Sequence, residues 1–266
     1  MQMVPDREGK RGAGAARAER GAGRGRNARR RYAGLRVALL ALILPWHALA
    51  QSVAAADLEA GRAVVVGGEE ATVTPCFMCH GLDGVGDSAG AFPRLTGQAA
   101  FYMYKQLVDY ASGARPNDVM SPIARQMTEP QMADVAFYYS VLDAPYPPLL
   151  AVVEPELLAR GREIAEDGVP DDDVPACNLC HGERGTGDPP LFPYLAGQYA
   201  PYTELQLQFW KQGVRRNDGL EVMADIARAM SDEDIHAVAL YFESVRSGAA
   251  NGGGEIGMRA PERSGG

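Results

Sequence analysis

Cys76-Phe77-Met78-Cys79-His80 and Cys177-Asn178-Leu179-Cys180-His181 are two copies of one pattern, about 100 residues apart, and together they take every cysteine of the chain. A Cys-x-x-Cys-His run is the pattern of covalent haem attachment. Each thiol can add across a vinyl group of the porphyrin, and the adjacent histidine then falls beneath the ring, where an imidazole nitrogen can ligate iron. Two covalently bound haem c groups are therefore predicted, attached through Cys76, Cys79, Cys177 and Cys180, with His80 and His181 as iron ligands. The duplication confines the chain to folds that can be built twice.

Other uses of four cysteines fit less well. A structural zinc site places its second pair about 12–20 residues after the first, and zinc gives no reason for a histidine directly after each pair. Thioredoxin-like redox pairs require a strand-turn-helix setting, whereas Thr74-Pro75 and Val174-Pro175 precede these pairs and no parallel-sheet pattern follows. Disulfides would leave the repeated histidine a coincidence.

The self-similarity extends beyond the cysteines. Phe92-Pro93-Arg94-Leu95-Thr96-Gly97-Gln98 returns as Phe192-Pro193-Tyr194-Leu195-Ala196-Gly197-Gln198, Arg115-Pro116-Asn117-Asp118 as Arg215-Arg216-Asn217-Asp218, and Met120, Met127 and Tyr138 as Met223, Met230 and Tyr241. One domain has been duplicated. Helical patterns cover 57–66 and 156–166 before the haem motifs and 101–110 and 202–211 in the middle of each copy. A closing helix starts at Thr128-Glu129-Pro130-Gln131, a capping box, and at Ser231-Asp232-Glu233-Asp234, whose acids favour a helix N-terminus. No segment reads as a strand, so the expected class is all-α. Gly61 and Gly161 are expected to let the first helix of each copy approach the last.

The organisation predicted is a signal and basic leader over 1–50, an N-terminal domain over 51–143, a linker over 144–155, a C-terminal domain over 156–246 and a disordered tail over 247–266. Residues 1–36 carry eleven Lys and Arg against three acids, and an apolar run over 37–44 follows, too short to span a bilayer. Ala48-Leu49-Ala50 before Gln51 has the pattern of a cleavage site, which predicts export to the periplasm. Residues 51–266 carry 15 basic and 31 acidic groups, a net −16. That surface disfavours nucleic acid and steers towards redox protein partners with basic docking patches. The same charge disfavours anionic lipid, no small-molecule substrate is expected, and any peripheral association is expected to be with a membrane protein complex. His47 leaves with the leader, and His236 lies mid-helix as a surface or packing residue.

The two Cys-x-x-Cys-His motifs, the two Phe-Pro-x-Leu-x-Gly-Gln segments, the Asn-Asp before each candidate methionine and the aromatic closing helix resemble the dihaem cytochrome c4 family of bacterial periplasmic electron carriers. The resemblance covers about residues 57–246. It implies two tandem class I cytochrome c domains related by pseudo-twofold symmetry, haems edge to edge near the domain interface, and His/Met ligation of both irons.

Two methionine pairs obey the repeat. Met127 and Met230 immediately precede the capping Thr128 and Ser231, where an apolar side chain staples onto the first turn, with Met132 and Ile235 as partners. Met120 and Met223 are placed in the loop after the Asn-Asp segment, where a thioether can reach an open haem face, and the resemblance puts the ligand there too. Met120 and Met223 are therefore the expected sixth ligands. The resemblance puts the carbonyl that accepts from each ligating histidine at Pro93 and Pro193, while Tyr102, Tyr202 and Arg94 are assigned to the haem propionates.

Methionine opposite histidine raises the haem potential and fills the sixth position, so the chain is expected to be an electron carrier and not an enzyme. The resemblance suggests a bc1-type donor and a terminal oxidase as acceptor. The alternatives are a dihaem subunit of a dehydrogenase such as a flavocytochrome, and a dihaem peroxidase-like enzyme, which needs a five-coordinate haem that matched methionines disfavour.

Overall fold

A computed structural model describes residues 52–67, 73–146, 149 and 153–246. The leader with His47, the tail over 247–266 and part of the linker lie outside them. The chain forms two similar helical sets. The first contains α1 (Leu58–Val66), α2 (Phe77–His80), α3 (Ala100–Ser112), α4 (Met120–Ala124) and α5 (Glu129–Ser140). The second contains α6 (Pro155–Asp167), α7 (Asn178–His181), α8 (Ala200–Lys211), α9 (Val222–Ala229) and α10 (Asp232–Ser244), with short 3-10 turns at Pro170–Asp172 and Glu183–Gly185. Among the described residues β-structure is limited to isolated bridges such as Asp87 with Phe92 and Asp188 with Phe192.

The helix ends follow from local chemistry. Asp57 caps α1 by accepting from the Ala60 amide at 2.8 Å, and Gly67 ends it in the left-handed region at φ 70°. The expected capping box forms at α5, where the Thr128 amide donates to Gln131 Oε1 at 2.9 Å and the Gln131 amide returns to Thr128 Oγ1 at 3.4 Å. Ser231 caps α10 by accepting from the Asp234 amide at 3.0 Å. Removing such a cap costs about 1 kcal/mol. Ser231→Ala is therefore expected to lower the melting temperature by roughly 2–4 °C; an unchanged midpoint in a thermal scan would count against the cap.

Within each set the first helix crosses the last, α1 on α5 and α6 on α10, and the middle helix packs on the last as well. Glycine makes the crossing possible: a Cβ at Gly61 would lie 2.2 Å from the Asp134 carbonyl oxygen, and one at Gly161 would lie 2.1 Å from that of Ala237. The crossing gathers one core from Val65, Tyr104, Met127, Met132 and Tyr139. A second is gathered from Ile164, Trp210, Met230, Ile235 and Phe242. Burial of these apolar side chains, not helix propensity, holds such short helices.

Two departures from the sequence expectations stand out. The haem motifs are themselves helical turns. Met120 and Met223 lie in helices and not in loops: Met120 is the first residue of α4, and Met223 the second of α9. Asn117 Oδ1 accepts from the amides of Val119 and Met120 at 3.0 and 2.7 Å, and Asp218 Oδ2 from that of Met223 at 2.6 Å. These carboxamide and carboxylate oxygens satisfy the orphan donors of a helix start, so a turn forms where no periodicity was visible.

Candidate functional site

Each Cys-x-x-Cys-His run occupies a single helical turn, with the His80 amide bonded to the Cys76 carbonyl at 3.0 Å and the His181 amide to that of Cys177 at 2.9 Å. That turn brings both thiols and the imidazole together. No disulfide joins the four cysteines. Burial pushes the Cys76 thiol up to about 11 and Cys177 to about 12, opposite to the lowered value that a thioredoxin-like nucleophile needs. No group of three or more His, Cys, Asp or Glu side chains converges as a metal site among the described residues.

Both imidazoles are held in one orientation. Nδ1–H of His80 donates to the Pro93 carbonyl at 3.1 Å, and that of His181 to the Pro193 carbonyl at 2.8 Å. Nε2 is then the nitrogen with a lone pair to offer iron. Phe92 and Phe192 meet the two imidazoles edge-on, each with ring centroids 6.2 Å apart. Burial lowers the pKa of both histidines, with the proline carbonyls pulling the other way, so the rings are neutral and suited to ligation.

The two methionine pairs differ in environment. Met127 and Met230 are buried at 8 % and 3 % exposure within the two cores. Their partners Met132 and Ile235 sit in the same clusters, as a hydrophobic staple requires. Met120 and Met223 are half-buried at the starts of α4 and α9. His236 is exposed and reaches Glu204 through Nδ1 at 2.6 Å.

The residues assigned to propionates are dispersed. Arg94 is buried, but its guanidinium donates to the carbonyls of Thr96 and Ala144 and lies over the Tyr146 ring at 4.8 Å. It is tied to the start of the segment joining the two sets. The two tyrosines instead meet a pair of arginines that the sequence reading passed over. Arg115 donates through Nη1 to Gln106 Oε1 at 2.9 Å, and through Nη2 to Tyr202 Oη at 3.0 Å and to Gln206 Oε1. Arg215 mirrors it, donating to Gln206 Oε1 at 2.9 Å, Tyr102 Oη at 3.2 Å and Gln106 Oε1 at 3.1 Å.

Reciprocal exchange of this kind is what a twofold interface produces, and it recurs nearby. The Gln98 side chain bonds the backbone amide and carbonyl of Tyr194 at 3.1 and 3.0 Å, while Gln198 bonds those of Arg94 at 2.9 and 3.0 Å. The symmetry breaks at Asn217, whose Nδ2 crosses to Gln106 Oε1 and Asp109 Oδ2 at 2.8 and 2.6 Å, while Asn117 stays on its own turn. It breaks again at Tyr139, which donates to the Gly81 carbonyl at 3.1 Å where the second set has Phe242.

Arg115 and Arg215 are 3 % and 4 % exposed, and among the described residues neither has a carboxylate within ion-pair distance. Burial lowers the pKa of Arg215, and the Arg115 charge adds to the effect. Buried cations normally face an anion. Carboxylate substituents of a cofactor would meet that need, as two cysteines on one turn with an oriented imidazole meet the needs of covalent haem. The residues present fit two haem c groups. Bound haem supplies one-electron cycling between ferric and ferrous iron; the chain supplies attachment, axial orientation and buried charge.

A cytochrome c family model matches residues 65–141. The chain is 41 % identical over 200 residues to a thiosulfate dehydrogenase electron acceptor of Stutzerimonas stutzeri, covering 74 % of this chain and 91 % of that protein. A crystal structure of reduced cytochrome c4 from Pseudomonas stutzeri superposes with a TM-score of 0.63 at 31 % identity, covering 72 % of this chain and all of that one. The thiosulfate dehydrogenase TsdBA of Marichromatium purpuratum gives a TM-score of 0.65 at 35 % identity, over 71 % of this chain and 40 % of that longer one. Two helical sets related by reciprocal contacts, each with its Cys-x-x-Cys-His turn, together with relatives that match most of the chain, identify it as a member of the dihaem cytochrome c4 family, an electron carrier with two covalently bound haem c groups.

Proposed function

We propose that the chain is a periplasmic carrier that takes electrons from a thiosulfate dehydrogenase or a closely similar sulfur-compound dehydrogenase and passes them to a terminal oxidase. The observation that carries the donor is the 41 % identity to a thiosulfate dehydrogenase electron acceptor over 91 % of its length. The likeness to part of TsdBA, at 35 % identity, supports it independently. In this reading His80 with Met120, and His181 with Met223, ligate the two irons. The Pro93 and Pro193 bonds support the histidines, and the separate packing role of Met127 and Met230 supports the choice of methionines.

The proposed organisation places a cytochrome domain over 51–143, a linker over 144–155 and a second domain over 156–246. Two cores, each drawn almost wholly from one repeat, support those limits. Export with cleavage near Ala50 is supported by the basic leader and its short apolar run. A net −16 over 51–266 favours a basic docking patch on the partner.

The second reading, a bc1-type complex as donor, is favoured by the likeness to cytochrome c4 itself. Stopped-flow mixing of the oxidised protein with a thiosulfate dehydrogenase and thiosulfate is expected to produce the ferrous α-band within seconds, more slowly as salt rises. Reduction by quinol and bc1 complex with none from the dehydrogenase would overturn the proposed donor and leave the carrier function standing.

A further inference from the structure

Arg115 and Arg215 belong to neither haem motif, to neither histidine-side loop and to neither methionine pair. Each guanidinium is split between the two halves, with one nitrogen on the glutamine of its own repeat and the other on the tyrosine and glutamine of the opposite repeat. Both guanidiniums converge on the same two acceptors, Gln106 Oε1 and Gln206 Oε1. They also stack on aromatic faces, Arg115 over Tyr110 at 4.6 Å and Arg215 over Trp210 at 3.7 Å, so neither can swing out to water without losing that contact.

Further contacts cross the same boundary. Gln98 and Gln198 grip the backbone of residues 194 and 94. Arg115 and Arg215 lead in sequence into the segments that carry Met120 and Met223, and Asn217 fastens one of those segments across the boundary. A buried charge is weakly screened and acts over a longer distance than one at the surface.

We propose that Arg115 and Arg215 are shared charges: each guanidinium sets the reduction potential of both haems, so neither half of the molecule is tuned by its own residues alone. The inference rests on the two-haem content and the interface geometry, and it is independent of which protein donates electrons. The sign follows from charge. A cation held near a haem disfavours the ferric state, so its removal favours ferric iron and lowers the potential.

The test is a spectroelectrochemical titration of the mature dihaem protein, with the two haems resolved by their paramagnetically shifted NMR signals. In Arg115→Gln the ferric-to-ferrous ratio at a fixed potential is expected to rise about three- to tenfold at both haems, where tenfold equals about 59 mV for a one-electron couple. Arg115→Lys keeps the charge and is expected to restore most of the shift. Gln106→Glu is the second variant. It is isosteric, its carboxylate accepts from both guanidiniums, and it is expected to lower both potentials in the same direction even if Arg115→Gln fails to mature.

Gln98→Ala removes a clamp across the same boundary without changing charge, and is expected to shift both potentials by less than Arg115→Gln does. A shift confined to the haem of the substituted repeat overturns the proposal, as does an equal shift in Gln98→Ala, which would make closure of the interface the cause. Haem content by the pyridine haemochrome assay reports separately on the two-haem reading.

Discussion

Replacing Met120 or Met223 with alanine is expected to remove about half of the far-red methionine-to-iron absorption of the oxidised protein, and the double variant all of it. Each variant should also lower the potential of one haem, because methionine opposite histidine raises it. Met127→Ala and Met230→Ala should behave in the opposite way. The band should remain, while burial in the cores makes each truncation cost about 2–5 kcal/mol. The two sets therefore separate on two axes, spectrum and stability, and a core role cannot imitate a ligand role. Loss of the band in Met127→Ala or Met230→Ala, with retention in Met120→Ala and Met223→Ala, would reverse the ligand assignment and leave electron transfer in place.

Gly161→Ala should destabilise the protein by about 3 kcal/mol, although the same exchange in an exposed helix interior gains about 1 kcal/mol. The reversal is steric. The new Cβ would lie 2.1 Å from the Ala237 carbonyl oxygen and 2.7 Å from Tyr241 Cβ, and the first of these is backbone that cannot rotate aside. α6 and α10 would have to separate, loosening the cluster around Ile164, Ile235 and Phe242. Gly61→Ala meets the Asp134 carbonyl at 2.2 Å and should act alike on the first set. At roughly 2–4 °C per kcal/mol for a chain of this size, a thermal scan should show a fall of about 6–12 °C. A midpoint that holds or rises would mean that the helices are not in the contact described.

Chemistry carried by short runs was legible in the sequence. The Cys-x-x-Cys-His motifs and the Thr128 box announce themselves within a few positions, while Pro93 and Pro193 came from the resemblance to cytochrome c4. Features that depend on distant partners were not. α4 and α9 span five and eight residues, too few for a periodic signal, and they form because Asn117 and Asp218 turn back onto the amides that follow them. Arg94 was assigned to a propionate together with Tyr102 and Tyr202. It is drawn elsewhere by the Ala144 carbonyl and the Tyr146 ring, neither of which is near it in sequence. Arg115 and Arg215 were visible as a repeated pair, but sequence spacing does not say that two cations face each other across a boundary.

The glutamine clamps carry a consequence for the history of the two halves. Across the boundary Gln98 and Gln198 hold main-chain groups of positions 194 and 94, and the peptide unit is the same whatever side chain it bears. A join that is blind to residue identity survives substitution at the very positions it grips. After the ancestral gene doubled, one half was free to acquire arginine there and the other tyrosine, so the copies could specialise without coming apart.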